Sequence, residues 1–233
     1  MAIILGADWG KGVYVVARVD LDRMSLEMTT AGGPGALLAM PCDLLAVDMP
    51  IGLSLDGDRP CDVAARGFVP GRASSVFNVP VRPVLDTPTY AEATARSREL
   101  TGKGLSPQSF GFMRHIREMD QALQDASPAV RDRTWEIHPE VSFAALSAGA
   151  TLAHRKKDTA GADLRREALG TWLWPSRIEA ALAGLPKRVT APEDVLDAIV
   201  AAWSAARILR GESATVTGDV PRDAMGLRMT IAY

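Results

Sequence analysis

Three short apolar runs in this sequence each end at an acidic residue. The runs are IILGAD, LLAVD and RTWE, and they end at Asp8, Asp48 and Glu136. Aspartate is disfavoured within strands, and Pro50, which follows closely after Asp48, cannot donate to a sheet ladder. Each run therefore predicts a buried strand that stops at a carboxylate. Because ligands of open α/β sheets collect outside the carboxyl ends of the strands, we expect the three acids to converge on one site.

The order of the predicted elements favours an α/β fold, a mixed β-sheet with helices on its faces. Residues 53–130, which open with a stretch rich in Pro, Gly, Asp, Arg and Ser, are predicted to form a helical and loop lobe inserted within a single domain of residues 1–233. The predicted strands are 3–8, 12–19, 25–29, 44–48, 133–137 and 226–233, and the predicted helices are 61–66, 89–100, 106–124, 140–147, two pieces within 160–185, and 190–210.

Composition and charge narrow the class of protein. The net charge is -2, which is unlike a strongly basic nucleic-acid-binding chain. Residues 59–117 nevertheless hold nine Lys or Arg against four Asp or Glu, a local charge of +5 that can attract phosphates. The two cysteines form no CxxC pair, so we expect a reducing compartment. The absence of a signal-peptide pattern and of a long apolar run predicts a cytoplasmic protein that does not enter a membrane.

The helix predicted from residue 190 adds further acids to the candidate site. In TAPE, Thr190 reads as the N-cap and Glu193 as its capping-box partner. Asp194 and Asp197 lie three residues apart and so share one helical face. The helix dipole is enough to explain Asp194. Asp197 lies among apolar residues, where a carboxylate is costly unless a partner or a metal ion compensates it.

Clustered carboxylates indicate a site for hard divalent cations. Mg²⁺ and Mn²⁺ prefer oxygen ligands, and a pair of such ions can activate water and stabilise the leaving oxygen of a phosphodiester. The sequence contains no HExxH, GxSxG, Walker or GxGxxG motif, and its three histidines are not at zinc-site spacing. We therefore expect Mg²⁺ or Mn²⁺ as the cofactor.

Ordered sequence blocks resemble those of a domain-of-unknown-function family of predicted RNase H-like nucleases. The blocks include GADWGKG, AVDMPIGL, RPCDVAARGF, GRASSVF, EIHPEVSFAAL and PEDVLDAIVAAWSA. The resemblance implies an RNase H-like mixed sheet flanked by helices. It also implies that Asp8, Asp48, Asp194 and Asp197 bind the metal, and that Asp8, Asp48, Glu136 and Asp197 carry catalysis. Where other members are expected to have a small residue after the first aspartate, this chain has Trp9.

The remaining family-like blocks carry basic and polar residues suited to a phosphate-bearing substrate, since arginine matches phosphate oxygens with paired donors. The predicted substrate-binding residues are Arg59, Arg66, Arg72, Ser74, Ser75, Lys103, His138, Glu140, Lys156 and Lys157.

These expectations lead to three functional hypotheses. The first is a divalent-metal-dependent nuclease or phosphodiesterase that acts on nucleic acid or on a phosphate-bearing small molecule. The second is an RNase H-like module that binds such a ligand without cutting it. The third, phosphoryl transfer in the style of actin-like kinases, normally needs a second related domain, for which 233 residues leave little room. The sequence leaves open DNA against RNA, and a monomer against a dimer.

Overall fold

The computed structural model describes residues 1–149, 152, 154, 158–186 and 188–233. The strands are β1 (Ile3–Gly10), β2 (Val13–Asp20), β3 (Ser25–Ala31), β4 (Leu44–Asp48) and β5 (Thr134–Glu136). The helices are α1 (Pro34–Leu38), α2 (Pro60–Phe68), α3 (Tyr90–Thr101), α4 (Pro107–Asp125), α5 (Pro128–Arg133), α6 (Pro139–Leu146), α7 (Thr159–Gly170), α8 (Pro175–Gly184) and α9 (Pro192–Arg210). Two 3-10 turns, Ala73–Ser75 and Arg82–Val84, lie between α2 and α3.

The five strands form one mixed sheet in the order β3-β2-β1-β4-β5. The first three strands are an antiparallel meander, and β4 and β5 add to β1 in parallel. Helices flank this sheet. The predicted fold class is therefore confirmed as α/β with a mixed sheet, an arrangement consistent with an RNase H-like fold.

Helix α9 covers one face of the sheet at unusually close range. Ile4 of β1 and Ala46 of β4 belong to the core that contains most of the buried residues of α9. Gly6 is two residues after Ile4 and pairs with Ala46, so it lies on the same face, because side chains alternate along a strand. A Cβ atom placed on Gly6 would lie 2.7 Å from the carbonyl carbon of Ala201, and closer still to Ala202 N and Ala198 O. Only glycine lets the helix backbone come this near to the sheet.

The opposite face of the sheet is covered by helices from the predicted insertion. Leu5, Val16 and Val47 point to this side and share a core with buried residues of α3 and α4. Helices α3 and α4, which lie within the predicted insertion, thus pack against this face of the sheet. Gln108, in the first turn of α4, lines a cavity together with Asp48 at the end of β4.

Most predicted elements are present, with some corrections. The predicted strand 226–233 is wrong: this segment makes only isolated bridges, such as Ile137 to Ala232 and Thr215 to Ala232. The predicted cap of α9 is also wrong by one residue, because Pro192 takes the first helical position and makes Ala191 the N-cap. The short helices α1 and α5 were not predicted. Among the described residues no helix is long and apolar enough to cross a membrane.

Candidate functional site

Asp8 and Asp48 lie side by side at the carboxyl ends of two parallel strands. The register pairs Asp8 of β1 directly with Asp48 of β4. Both side chains point to the face covered by α9, since Gly6 and Ala46, two residues earlier, face that helix. Asp8 is 6% exposed, whereas Asp48 is partly exposed. The first two predicted acids therefore converge as expected.

Helix α9 brings two further carboxylates to the same end of the sheet. Asp194 accepts a hydrogen bond from the Ala191 backbone N–H at 2.9 Å, which caps the helix. Its carboxyl group packs over Gly10, where an added Cβ atom would lie 2.6 Å from Asp194 Cγ. Asp197, one turn further along, is only 1% exposed. Asp194 thus has a structural role at the helix start, while Asp197 reaches the candidate site.

A cavity of about 250 Å³ lies beside these acids. It brings together six residues predicted from the sequence, drawn from four separate parts of the chain. The lining residues are Asp48, Ser74, Ser75, Gln108, His138, Pro139, Glu140 and Asp197. Gln108 was missed by the sequence analysis. Its only signal was its position two residues after Ser106, the predicted N-cap of α4, whose side chain accepts from Ser109 N.

One wall of this cavity is a loop held by side chains. His138 Nε2 lies 3.3 Å from the Ser75 carbonyl oxygen. Arg66 donates to the carbonyl oxygens of Val76 and Phe77 at 3.0 and 3.1 Å. Arg72 donates to the His154 carbonyl oxygen. Two of the arginines predicted to contact substrate therefore hold the loop that presents Ser74 and Ser75.

Glu136 lies on the other face of the sheet from Asp8 and Asp48. The register pairs it with Val47, whose side chain belongs to the opposite core. Its Oε2 accepts from the Ile51 backbone N–H at 2.7 Å and forms an ion pair with Arg59. Arg59 is 1% exposed and also lies 3.5 Å from Asp62, so one buried guanidinium serves two buried acids.

Burial dominates the electrostatics of this second acidic group. Burial of the carboxylate outweighs the nearby Arg59 and raises the pKa of Glu136 to about 8. The pKa of Asp62 is raised for the same reason. Glu136 and Asp62 border a small cavity of about 20 Å³ that also touches Asp48 and His138. Asp48 thus borders both cavities: the one that Asp197 lines and the one that Glu136 and Asp62 line.

Glu140 lines the main cavity and forms a buried ion pair. Its Oε1 atom accepts from Arg165 Nη2 at 2.7 Å. Arg165 is fully buried on α7, where it also donates to the Gly161 carbonyl oxygen at 3.1 Å. The helix that carries Glu140 is joined to α9 by a buried 2.9 Å hydrogen bond between Ser142 and Ser204. Glu140 is therefore fixed in position relative to Asp197.

The other predicted substrate-binding residues do not line this cavity. Lys103 forms an exposed ion pair with Asp58 at 2.6 Å, and Arg59 is buried with Glu136. Lys156 and Lys157 lie outside the described residues. Much of the positive charge of residues 59–117 is paired with acids: Arg82 with Asp120 and Asp223, Arg96 with Glu99, Arg114 with Glu118, and Arg117 with Asp86.

The donor set is suited to a hard cation that keeps part of its own hydration shell. In the described part of the chain, no group of three or more His, Cys, Asp or Glu side chains is arranged to hold a metal ion. Mg²⁺, however, is usually bound through one or two carboxylates together with water and substrate phosphates. Asp8 and Asp48, in register on one face, supply such a pair. The residues therefore fit Mg²⁺ or Mn²⁺ bound together with a phosphate.

Comparison with known proteins places the chain in one family. The family model described as "Protein of unknown function (DUF429)" matches residues 6–222, which begin within β1 and extend past the end of α9. Neither the curated proteins nor the solved structures contain a match.

Proposed function

Because this chain belongs to the DUF429 family, whose function is unknown, we propose from its site that it is a divalent-cation-dependent phosphodiesterase of the RNase H-like nuclease type. The single observation that carries this proposal is the in-register pair Asp8 and Asp48 beneath the buried Asp197 of α9. Acids at the carboxyl ends of adjacent parallel strands mark the usual ligand position of an α/β sheet.

The placement of these acids supports cation binding. Asp8 and Asp48 stand in register at the carboxyl ends of two parallel strands, where the ligands of α/β sheets collect, and Asp197 is buried on the helix that covers them. Carboxylate oxygens are the ligands that hard divalent cations prefer. Asp8 and Asp48 would hold Mg²⁺ or Mn²⁺ together with a substrate phosphate, with Asp197 beside them.

The chain's own groups would orient the substrate in the cavity. A bound divalent cation supplies a water of lowered pKa and neutralises charge on the phosphate. Ser74 and Gln108 line the same cavity as Asp48 and Asp197, and a serine hydroxyl and a glutamine amide can donate hydrogen bonds to phosphate oxygens. His138 borders both cavities and positions the Ser75 backbone. The substrate of this proposal is nucleic acid or a phosphate-bearing small molecule.

The proposal is tested by hydrolysis of nucleic acid and of bis(p-nitrophenyl) phosphate with Mg²⁺ or Mn²⁺. Asp8→Asn and Asp48→Asn keep the size of each side chain and remove its charge, so we expect at least a hundredfold loss of kcat with folding intact. Glu167→Gln, an exposed change on α7, is the matched control and should leave the rate unchanged. Full activity in both aspartate variants would exclude the assignment.

A second function, binding without hydrolysis, is favoured by one specific observation. The described residues do not contain a ready group of three metal-ligating side chains. A binding module would hold its phosphate-bearing ligand without a cation, and Mg²⁺ would not change the dissociation constant. Titration of ligand binding from zero to millimolar Mg²⁺ separates the two functions, because the phosphodiesterase requires tighter binding as the cation is added.

A further inference from the structure

The chain that follows Asp48 is irregular, yet its backbone is held by a buried ion pair. Residues 49–54 form neither helix nor strand. The Ile51 backbone N–H donates to Glu136 Oε2 at 2.7 Å, and the Ile51 carbonyl oxygen accepts from Arg59 Nη2 at 3.2 Å. Glu136 and Arg59 are buried and also pair with each other. One ion pair thus binds both backbone polar groups of Ile51.

A second ion pair holds the end of the same segment. The Leu53 backbone N–H donates to Asp223 Oδ2 at 2.9 Å. The side chain of Asp223 is fully buried and pairs with Arg82. The backbone N–H of Arg82 donates in turn to the Ser54 carbonyl oxygen at 2.8 Å. The segment is therefore fixed at two points, by acids that come from distant parts of the sequence.

Gly52 lies between these two points and removes the remaining freedom. Its φ is +72°, a conformation that favours glycine, and an added Cβ atom would lie 2.4 Å from the carbonyl oxygen of Arg228. The segment is thus packed against the C-terminal part of the chain as well as hydrogen-bonded on both sides of Gly52. Loops are ordinarily the more mobile parts of a fold, so the restraint of this one needs a reason.

The segment begins directly after a residue that the proposed function places on the cation. Asp48 ends β4, so the sheet fixes its N-terminal side and residues 49–54 fix its C-terminal side. A carboxylate that is fixed in place binds a cation more tightly, because less conformational freedom is lost on binding. We propose that Glu136 and Asp223 are positioning residues, which hold this segment and thereby orient the Asp48 carboxylate toward Mg²⁺ or Mn²⁺.

This inference rests on the proposed function, because it takes Asp48 as a ligand of the cation. Glu136 acts in this role through the backbone and not on the cation itself, since its Oε2 is engaged by Ile51 and Arg59. The role accounts for the place of Glu136, which borders one cavity with Asp48 but does not line the cavity of Asp197.

The test measures Mn²⁺ binding to the full chain by electron paramagnetic resonance, and amide hydrogen exchange by NMR. Glu136→Ala removes the acceptor of the Ile51 N–H, so this amide should exchange faster than in the wild type. The dissociation constant for Mn²⁺ should rise at least about tenfold, the lower end of the range for groups that orient metal ligands. Asp223→Ala should have the same effect on Mn²⁺ binding, with Leu53 as the amide that exchanges faster.

Two controls separate positioning from a loss of stability. Glu136→Gln keeps a side-chain oxygen that can accept from the Ile51 N–H, and should bind Mn²⁺ as the wild type does. Ile178→Ala removes a buried side chain of α8, which packs against β3 and is separated from β4 by two strands. This variant should lower the free energy of unfolding but leave the dissociation constant for Mn²⁺ unchanged.

The outcomes distinguish this inference from the proposed function. If Asp48→Asn loses Mn²⁺ binding while Glu136→Ala and Asp223→Ala bind as tightly as the wild type, the cation site stands and the positioning role is wrong. The positioning role is also wrong if Ile178→Ala weakens Mn²⁺ binding as much as Glu136→Ala, because lost stability then explains both. If Asp48→Asn binds Mn²⁺ as tightly as the wild type, the proposed function fails and the inference fails with it.

Discussion

Replacement of Gly6 by alanine should damage the close contact between β1 and α9. The new Cβ would lie 2.7 Å from the carbonyl carbon of Ala201, whereas ordinary contact begins at about 3.4 Å. The helix must therefore move away by at least about 0.7 Å, and by more to clear Ala202 N and Ala198 O. These are backbone atoms within a helix and cannot rotate aside.

The expected cost follows from overpacking. Extra methylene groups in a well-packed core cost about 1–3 kcal/mol, and a clash with the backbone of a helix belongs at the upper end. We expect Gly6→Ala to lower the free energy of unfolding by about 3 kcal/mol, measured by urea denaturation at an unchanged m-value.

The matched control is Gly111→Ala on α4, where an added Cβ meets nothing within 4 Å. This change should be neutral or stabilise the protein by up to about 1 kcal/mol, because alanine favours helix over glycine. Surface substitutions usually change the free energy of unfolding by no more than about 0.5 kcal/mol. If the free energy of unfolding of Gly6→Ala differs from the wild-type value by no more than this, the close approach of α9 to the sheet is refuted.

Two further predictions concern buried polar groups. Burial raises the pKa of Glu136 to about 8. Between the unfolded pKa near 4.5 and this value, the native state holds a proton that the unfolded state has released. The protonated Glu136 therefore contributes stability that is fully present below about pH 4.5 and is lost as the pH rises through 8. Glu136→Gln should therefore unfold with a weaker pH dependence than the wild type between pH 5 and 8, and parallel pH curves in chemical denaturation would contradict the assignment. Ser142→Ala and Ser204→Ala should each leave one buried hydroxyl unpaired, and a double-mutant cycle should give a coupling energy of about 1 kcal/mol; additive losses would show that the hydroxyls do not interact.

The acids of β1 and β4 could be predicted from the sequence because both signals are local. In β4 the apolar run, Asp48 and then Pro50 identify the end of the strand without any tertiary information, whereas β1 continues two residues beyond Asp8, to Gly10. Parallel pairing then brings such ends to one edge of the sheet. The structure adds the register, Asp8 opposite Asp48, which sets both carboxylates on the face of α9.

The position of Glu136 could not be predicted in the same way. Its run also ends at an acid, but a shift of one residue in register moves a side chain to the other face of a sheet. Here Glu136 pairs with Val47 and not with Asp48, so it points away from α9. The burial of Arg59 could not be predicted either, since its partners Glu136 and Asp62 come together only through the tertiary fold.

The start of α9 shows a local signal that was available and misread. Thr190 and Glu193 fit a capping box, but Pro192 is favoured at the first helical position, where its missing N–H costs nothing. That preference makes Ala191 the N-cap and gives the capping role to Asp194. The one-residue change matters for function, because it separates Asp194 as a cap from Asp197 as a member of the site.

Glu136 and His138 lie two residues apart, and this spacing links the two faces of the sheet. Glu136 ends β5 on the face of Arg59, and His138 then caps α6 beside the cavity that holds Asp48 and Glu140. A substitution that moves Glu136 therefore also moves the first turn of α6. Loss of hydrolysis in Glu136→Gln would by itself not make Glu136 a catalytic residue. It would do so only if binding of the phosphate-bearing ligand stayed at the wild-type level while kcat fell; a joint loss of both would identify Glu136 as a positioning residue.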